Sequence, residues 1–471
     1  MMSDVKRLHP ATIILNVLKE MKGTVYLIFI TLITLDFIYF LLFLLAYALL
    51  IGIIGTLSWY RFSYWVTDDA LHIEYGIFKR TKRTISKNRI QSIDLTENIV
   101  HRIFKLVRVQ IETASSGMEA EASLAAVSLD EGETLRAELK YKQVNDESGD
   151  IEEEDKNVKK VITTKQLLLA GITSGGVGII LSFMFIALIE LEELIPENVY
   201  DYTFSWFVST SLVIIILLVL VVLFVVWLLS VGLTFIRNGK FTIKIEDNEL
   251  LITRGLIEKK QLTIPLHRIQ AIGVEENIFR QPFGYASIHA EVAGGSTSGN
   301  EGVSTMLFPL MHKREVPEFI EQFVPGFSWD PEQVEWVKPP KKALKFYLFR
   351  SGIAFLIMSF VVLYFFPNYS WITFIILALM LGRGWLSYKD AGFYVNDNRL
   401  LLRYRKLKRV TVMLYHKRVQ AFEKEQNPIQ RKDYLTTMKV SILSNLGGKH
   451  YQIKEVDEGK VNQLSDFYFS K

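Results

Sequence analysis

The chain has 471 residues, half of them hydrophobic, with a net charge of +4 and no cysteine. The missing cysteines exclude disulfides, thiol catalysis and cysteine-ligated metals. A mean hydropathy of +0.22 alongside 22% charged residues means that the apolar residues are concentrated in segments rather than spread along the chain.

The first such segment, Thr24 to Tyr60, carries one charge, Asp36. About 20 residues cross a hydrocarbon core, so the segment predicts two tightly joined helices of roughly 17–18 residues each. It is too long for a signal h-region and no A-x-A-like site follows, so it reads as a retained anchor. Beyond it, "YWVTDDALHIEYGIF" alternates β-formers around an Asp pair, the pattern of a β-hairpin. A dense basic run from Lys79 to Arg89 comes next, with Lys79, Arg80, Lys82 and Arg83 at its head. A strand ("VRVQIETA"), a glycine-bearing loop and a short helical pattern ("DEGETLRAELK") complete the unit. Glu119 to Asp155 is the most acidic stretch and reads as a solvated tail that could shield a basic face.

Leu167 opens a second apolar region, which resumes at Trp206, and Phe346 and Trp371 open a third. Three helical hairpins and six spans follow. Lys6, Arg7, Lys19 and Lys22 lie ahead of the first hairpin, and "ELEELIPENVYD" inside the second has no Lys or Arg. By the positive-inside rule the tips face outward and both termini and the β units face the cytoplasm of a multi-pass cell-membrane protein. "GITSGGVG" (Gly171–Gly178) offers small residues for helix packing. Asp36 and Arg350 are the charges to watch in the spans; a turn position and snorkelling account for them without a function.

The units repeat. "SKNRIQSIDLTENI", "PLHRIQAIGVEENI" and "LYHKRVQAFEKEQNPI" align without a gap. They superpose Arg89, Arg268 and Arg418; Gln91, Gln270 and Gln420; and Asn98, Asn277 and Asn427. Thirteen residues before each Arg stand Gly76, Gly255 and Arg405. An internal period of this kind marks one supersecondary unit used three times. The boundaries read as 1–62 (N-terminus and hairpin 1), 63–164 (β domain 1 with its acidic tail), 165–236 (hairpin 2), 237–330 (β domain 2), 331–388 (linker and hairpin 3) and 389–471 (β domain 3).

Two spans, a strand pair, "RIQ" thirteen residues after a Gly and an Asn seven beyond the Gln resemble the bacterial pleckstrin-homology domain of the DUF304 type, bPH2. Three units in one chain resemble the YdbT-like membrane proteins of Gram-positive bacteria. The resemblance implies a PH-like fold, a bent antiparallel sheet closed by a C-terminal helix, and so a membrane α + β protein. It also implies a smaller bPH2 companion of the YdbS type and a role in envelope defence or resistance to membrane-active antimicrobial peptides. It carries no catalytic residues.

The Arg-x-Gln…Asn signature reads as structural bracing, with partner binding as the alternative. The basic residues Lys79, Arg80, Lys82, Arg83, Arg403, Arg405, Lys406, Lys408 and Arg409 read as facing the anionic inner leaflet, with a plain solvated surface as the alternative. No nucleic-acid motif, metal-ligand spacing, nucleophile elbow or cofactor loop is found, so a non-enzyme without cofactor is expected. Transport and membrane-tethered signalling are the competing functions, and homo-oligomerisation stays open.

Overall fold

A computed structural model of the chain describes residues 5–24, 28, 31, 36–113, 122–139, 158–173, 212–293, 304–330, 333–396, 398–444 and 448–469. The first unit begins with helices α1 (Thr12–Gly23) and α2 (Phe37–Arg61). Strands β1 (Ser63–Val66), β2 (Ala70–Tyr75) and β3 (Thr81–Ser86) form one antiparallel sheet. Strands β4 (Ile90–Glu97), β5 (Leu106–Thr113) and β6 (Ala122–Ser128) pair in order in a second, with α3 (Ile99–Ile103) between β4 and β5 and α4 (Leu129–Leu139) closing the unit.

The second unit has the same order. It runs β7 (Lys159–Val161), α5 (Thr164–Ile172), α6 (Leu212–Asn238), β8 (Thr242–Glu246), β9 (Glu249–Arg254), β10 (Lys259–Pro265), β11 (Ile269–Glu276), β12 (Tyr285–Val292), β13 (Ser304–His312) and α7 (Val316–Phe323). The third runs α8 (Leu344–Phe365), α9 (Ser370–Asp390), β14 (Gly392–Asn396), β15 (Arg399–Arg405), β16 (Arg409–Tyr415), β17 (Val419–Glu425), α10 (Pro428–Lys432), β18 (Leu435–Ile442), β19 (Lys449–Asp457) and α11 (Glu458–Phe469). The expected membrane α + β architecture with PH-like units is found.

Four helices among the described residues are long and apolar enough to cross a bilayer: Phe37–Arg61, Leu217–Asn238, Lys341–Phe365 and Ser370–Asp390. Residues 25–27, 29–30 and 32–35 of the first hairpin and 174–211 of the second, with the loop "ELEELIPENVYD", lie outside the described residues. The first hairpin differs from expectation. Its turn is not in the middle of the apolar run: Asp36 is the N-cap of a continuous 25-residue helix, α2. The preceding arm starts with α1 at Thr12, whose Lys19, Glu20 and Lys22 hide it from a hydropathy reading. α1 packs on α2 at Gly55, where a Cβ would lie 3.6 Å from Ile13 Cγ2. In the second hairpin Gly171 also packs closely, with Val231 Cγ1 3.1 Å from where its Cβ would be; residues 174–178 of "GITSGGVG" lie outside the described residues.

The boundaries also shift. Residues 122–139, counted with the acidic tail, are β6 and α4; the acidic stretch beyond Leu139 lies outside the described residues up to Val158. Lys159–Val161, placed in the first domain, pairs with β8 and so belongs to the second unit. The same step recurs as single bridges ahead of the other hairpins, Lys6 to Tyr64 and Val337 to Phe393. Each hairpin therefore leaves the sheet and returns beside its point of departure.

The signature residues fall on the three irregular points of the second sheet. Arg89, Arg268 and Arg418 end the 3-10 turns Lys87–Arg89, Leu266–Arg268 and His416–Arg418. Gln91, Gln270 and Gln420 are the bulged residues, skipped between Ile90 and Ser92, Ile269 and Ala271, and Val419 and Ala421. Asn98 and Asn427 are the N-caps of α3 and α10, and Asn277 opens the equivalent turn. A bulge bends a strand and raises its twist, which is how a short sheet curls towards its neighbour.

Gly76 and Gly255 have φ of +112° and +105°, and a Cβ at Gly255 would stand 1.9 Å from the Glu258 carbonyl oxygen. The third unit dispenses with this turn: Arg405 stays in the strand, paired to Arg409. Gly255→Ala is therefore expected to cost on the order of 1–3 kcal/mol, read as a lowered midpoint in detergent thermal unfolding. Gly232→Ala, with nothing within 4 Å of its added Cβ, serves as the neutral comparison.

Candidate junctions and membrane-facing surface

The sheets do not stop at the unit boundaries. β4 of the first unit pairs antiparallel with β10 of the second, giving a seven-stranded sheet. β11 of the second pairs with β16 of the third, giving a six-stranded sheet. The register is the same at both junctions. Glu97 and Glu276 stand eight residues after the signature Arg of their units, and Lys259 and Arg409 stand nine before it. The pairs formed are Lys259 with Glu97 and Arg409 with Glu276.

Side chains reinforce the backbone. At the first junction Lys259 Nζ lies 3.2 Å from Glu97 Oε1, and the Thr263 N–H donates to Asp94 Oδ1 at 3.0 Å. Burial, with Glu112 beside it, pushes the Asp94 carboxyl well above the usual carboxylate range. At the second, Lys408 reaches Glu275 at 3.0 Å and Arg409 donates through Nε to Glu276 at 3.0 Å. His289 lies 3.6 Å from Glu275, and burial lowers its pKa to about 4. Hydrophobic packing also crosses the boundary, since Leu401 and Met413 of the third unit sit in the core of the second.

The signature side chains take different partners. Arg268 is buried and donates to the Ala293 carbonyl, while Gln270 donates to the Arg268 carbonyl at 3.1 Å. Arg418 reaches across the second junction to the His267 carbonyl at 2.7 Å. Asn277 donates to the Thr173 carbonyl at the end of α5 at 3.1 Å, and Asn427 caps α10 through the Gln430 N–H at 2.7 Å. Arg89 and Gln420 are exposed, and Gln91 is half-buried.

The basic residues divide as well. Arg405 is buried, with Nε 2.5 Å from Asp390 Oδ2 and Nη2 2.7 Å from Gln281 Oε1. Arg409 lies 3.5 Å from the same Asp390, and Arg403 stacks 4.1 Å from the Trp336 ring centroid. These three face protein groups. Lys79, Arg80, Lys82, Arg83, Lys406 and Lys408 are exposed, although Arg80 and Lys82 also reach Glu74. Arg350 forms a two-pronged pair with Glu455 at 2.7 and 3.3 Å, which fastens α8 to β19.

Sequence reasoning missed the apolar rims. Each unit exposes one large apolar residue eleven positions before its signature Arg: Phe78, Ile257 and Leu407. Each also exposes apolar residues in the segment after the signature Asn: Ile99, Ile103 and Phe104; Ile278, Phe279 and Phe283; Ile429 and Tyr434. Both rims sit beside the spanning helices. The Leu256 N–H donates to the Ile236 carbonyl in the last turn of α6 at 2.9 Å, and Arg383 of α9 donates to the Lys406 carbonyl at 2.9 Å. Arg280 donates through Nε to Thr173 Oγ1 at 2.8 Å, Lys345 of α8 pairs with Asp433 at 2.7 Å, and Val100 packs on Ala11 and Leu15. Trp227 of α6 donates to the Ile172 carbonyl at the end of α5, next to the Thr173 that Asn277 and Arg280 reach. No cluster of metal-ligating side chains occurs among the described residues.

Arg409→Met leaves Glu276 buried without its main partner and is expected to cost roughly 3–5 kcal/mol, towards the low end because Lys313 remains 3.8 Å from Glu276. Arg409→Met with Glu276→Leu should recover most of the loss. Thermal unfolding of the wild type and the two variants measures the difference.

The family described as bacterial PH domain (bPH_2) matches residues 16–143, 199–323 and 353–470. The chain is 34% identical over 489 aligned positions to the UPF0699 transmembrane protein YdbT of Bacillus subtilis (strain 168), with 99% of each chain covered. Three continuous units, each fastened to apolar helices and each matching the family, make this chain a member of the bacterial PH domain family, as a membrane protein that carries the domain three times.

Proposed function

We propose that the chain is a membrane-anchored scaffold that holds a row of three bacterial PH units against the cytoplasmic leaflet, in defence of the envelope against membrane-active peptides. The apolar rims carry the first half of this reading. They recur in all three units, they flank the helix ends, and no described part of the protein covers them. An apolar side chain at that level has its favourable surroundings in the acyl boundary of the bilayer. Lys79 and Lys406 stand one position from Phe78 and Leu407, where each contributes at most about 1 kcal/mol of attraction to an anionic leaflet, less as salt rises. The basic N-terminal segment and the loop of the second hairpin, which is acidic and has no Lys or Arg, favour the cytoplasmic side for the β units.

The defence role rests on the family resemblance, as does a smaller bPH2 companion of the YdbS type. At the junctions Lys259 pairs with Glu97, Lys408 with Glu275 and Arg409 with Glu276, an arrangement that supports a structural role for these charges.

The membrane-facing part is tested with nitroxides on Phe78→Cys, Phe279→Cys and Leu407→Cys in anionic liposomes. Collisions with oxygen should exceed those with a water-soluble nickel complex at all three positions; an aqueous profile rejects the placement. The defence part is tested by survival of a deletion strain against a panel of pore-forming peptides. Selective sensitivity, restored by the wild-type chain, is expected, and unchanged survival across the panel moves the function to signalling or transport.

A further inference from the structure

Both junctions join the strand that opens the second sheet of one unit to the strand that ends the first sheet of the next. The array has three units and two junctions, so one strand of each kind is left over. Among the described residues β3 has β2 as its neighbour, and β17 has β18. The two edges lie in separate sheets, so they do not close on each other within one chain. Their burial differs from that of their paired counterparts. Five consecutive residues of β4 and six of β11 are buried, whereas none of β17 is. β10 and β16 each bury three residues in a row, whereas β3 buries Ile85 alone.

We propose that the β17 edge of one copy pairs with the β3 edge of a second copy, in the register of the two internal junctions. In that register Glu425 stands opposite Thr81, as Glu275 stands opposite Val410. Lys79 comes to Glu425 as Lys408 comes to Glu275, the contact that measures 3.0 Å within the chain. The charge that bears on the pairing is Lys79 just before β3 and Glu425 near the end of β17: Arg80 and Lys82 already reach Glu74, and Glu423 is held by Lys439 at 2.8 Å, whereas Glu425 lies 3.9 Å from that lysine. All hairpins enter one membrane, so the step from unit to unit is a rotation about an axis near the membrane normal. A head-to-tail step of this kind continues from copy to copy and closes into a ring when the rotation divides a full turn.

The chain has no cysteine, which makes site-directed cross-linking clean. Two differently tagged full-length chains, one Thr81→Cys and one Glu425→Cys, are co-expressed and oxidised in native membranes. A disulfide-linked heterodimer is expected, and none when Val419→Cys replaces Glu425→Cys. Absence of the heterodimer, or a link from Glu425→Cys to a different protein, overturns the assignment. Independently of cysteines, the mass of the wild-type assembly extracted in lipid nanodiscs should be several times that of one chain. Glu425→Lys should reduce it to the single chain, and Lys79→Glu with Glu425→Lys should restore it. A single-chain mass for the wild type, or a mass unmoved by Glu425→Lys, overturns the proposal.

Discussion

The pairing of strands across unit boundaries is the constraint on which the rest of the structure depends. With β10 hydrogen-bonded to β4 and β16 to β11, no unit can rotate against its neighbour without breaking a ladder. A row of domains on flexible linkers would sample many orientations. Here the ladders fix the orientation of each unit, and the helix pairs that leave each unit are fixed with it. Neighbouring rims are also tied to each other, since Arg102, between Ile99 and Phe104, donates to the Leu256 carbonyl at 2.7 Å and Arg405 to Gln281 at 2.7 Å.

The coupling of sheet to membrane helix is concentrated in a few polar contacts. Asp390 is the last residue of α9, a poor place for an acid because the helix dipole is negative there. Arg405 and Arg409 neutralise it, and Arg409 also holds Glu276 of the preceding unit. One cluster thus joins a spanning helix, the first sheet of the third unit and the second sheet of the second unit. Buried ion pairs of this sort contribute little net stability against an apolar replacement, but they penalise every arrangement that leaves one member alone. The Arg350–Glu455 pair does the same for α8. What these contacts supply is geometry: they decide which way the sheet sits on the helices.

Much of this was legible in the sequence because the irregular points of a fold restrict residue type. A turn at φ of +112° or +105° selects glycine, a bulge recurs at Gln91, Gln270 and Gln420, and an N-cap selects asparagine. Those requirements surfaced as the repeat. Long apolar runs likewise announced the spans. Partner choice was not legible, since β10 carries no mark that its neighbour is β4 rather than a strand of its own unit. The basic run of the third unit misled for the same reason: Arg405 and Arg409 are solvated or buried according to where Asp390 and Glu276 stand, and local sequence does not show that. α1 escaped because three charged residues interrupt a helix whose other face is covered by α2.

The charges on the two outermost strands can be weighed against the common use of edge charge, which is to repel any further strand. A purely defensive edge needs charge of any sign at any position. At the outer edges the counterpart of the Lys408–Glu275 pair is Lys79 with Glu425, base against acid, while the counterpart of Lys259–Glu97 is Arg80 opposite the neutral Gln426. Lys424 breaks the acidic run of β17 and turns back to Glu458 at 2.7 Å, while Lys439 on β18 reaches Glu423 at 2.8 Å and Glu425 at 3.9 Å, so Glu425 is the less tightly held carboxylate of this edge. In the junction register the unlike edges bring Lys79 to Glu425, a contact that neither edge makes with a copy of itself. That selectivity gives a direction to any assembly of copies, and it is the same direction in which the three units already follow one another along the chain.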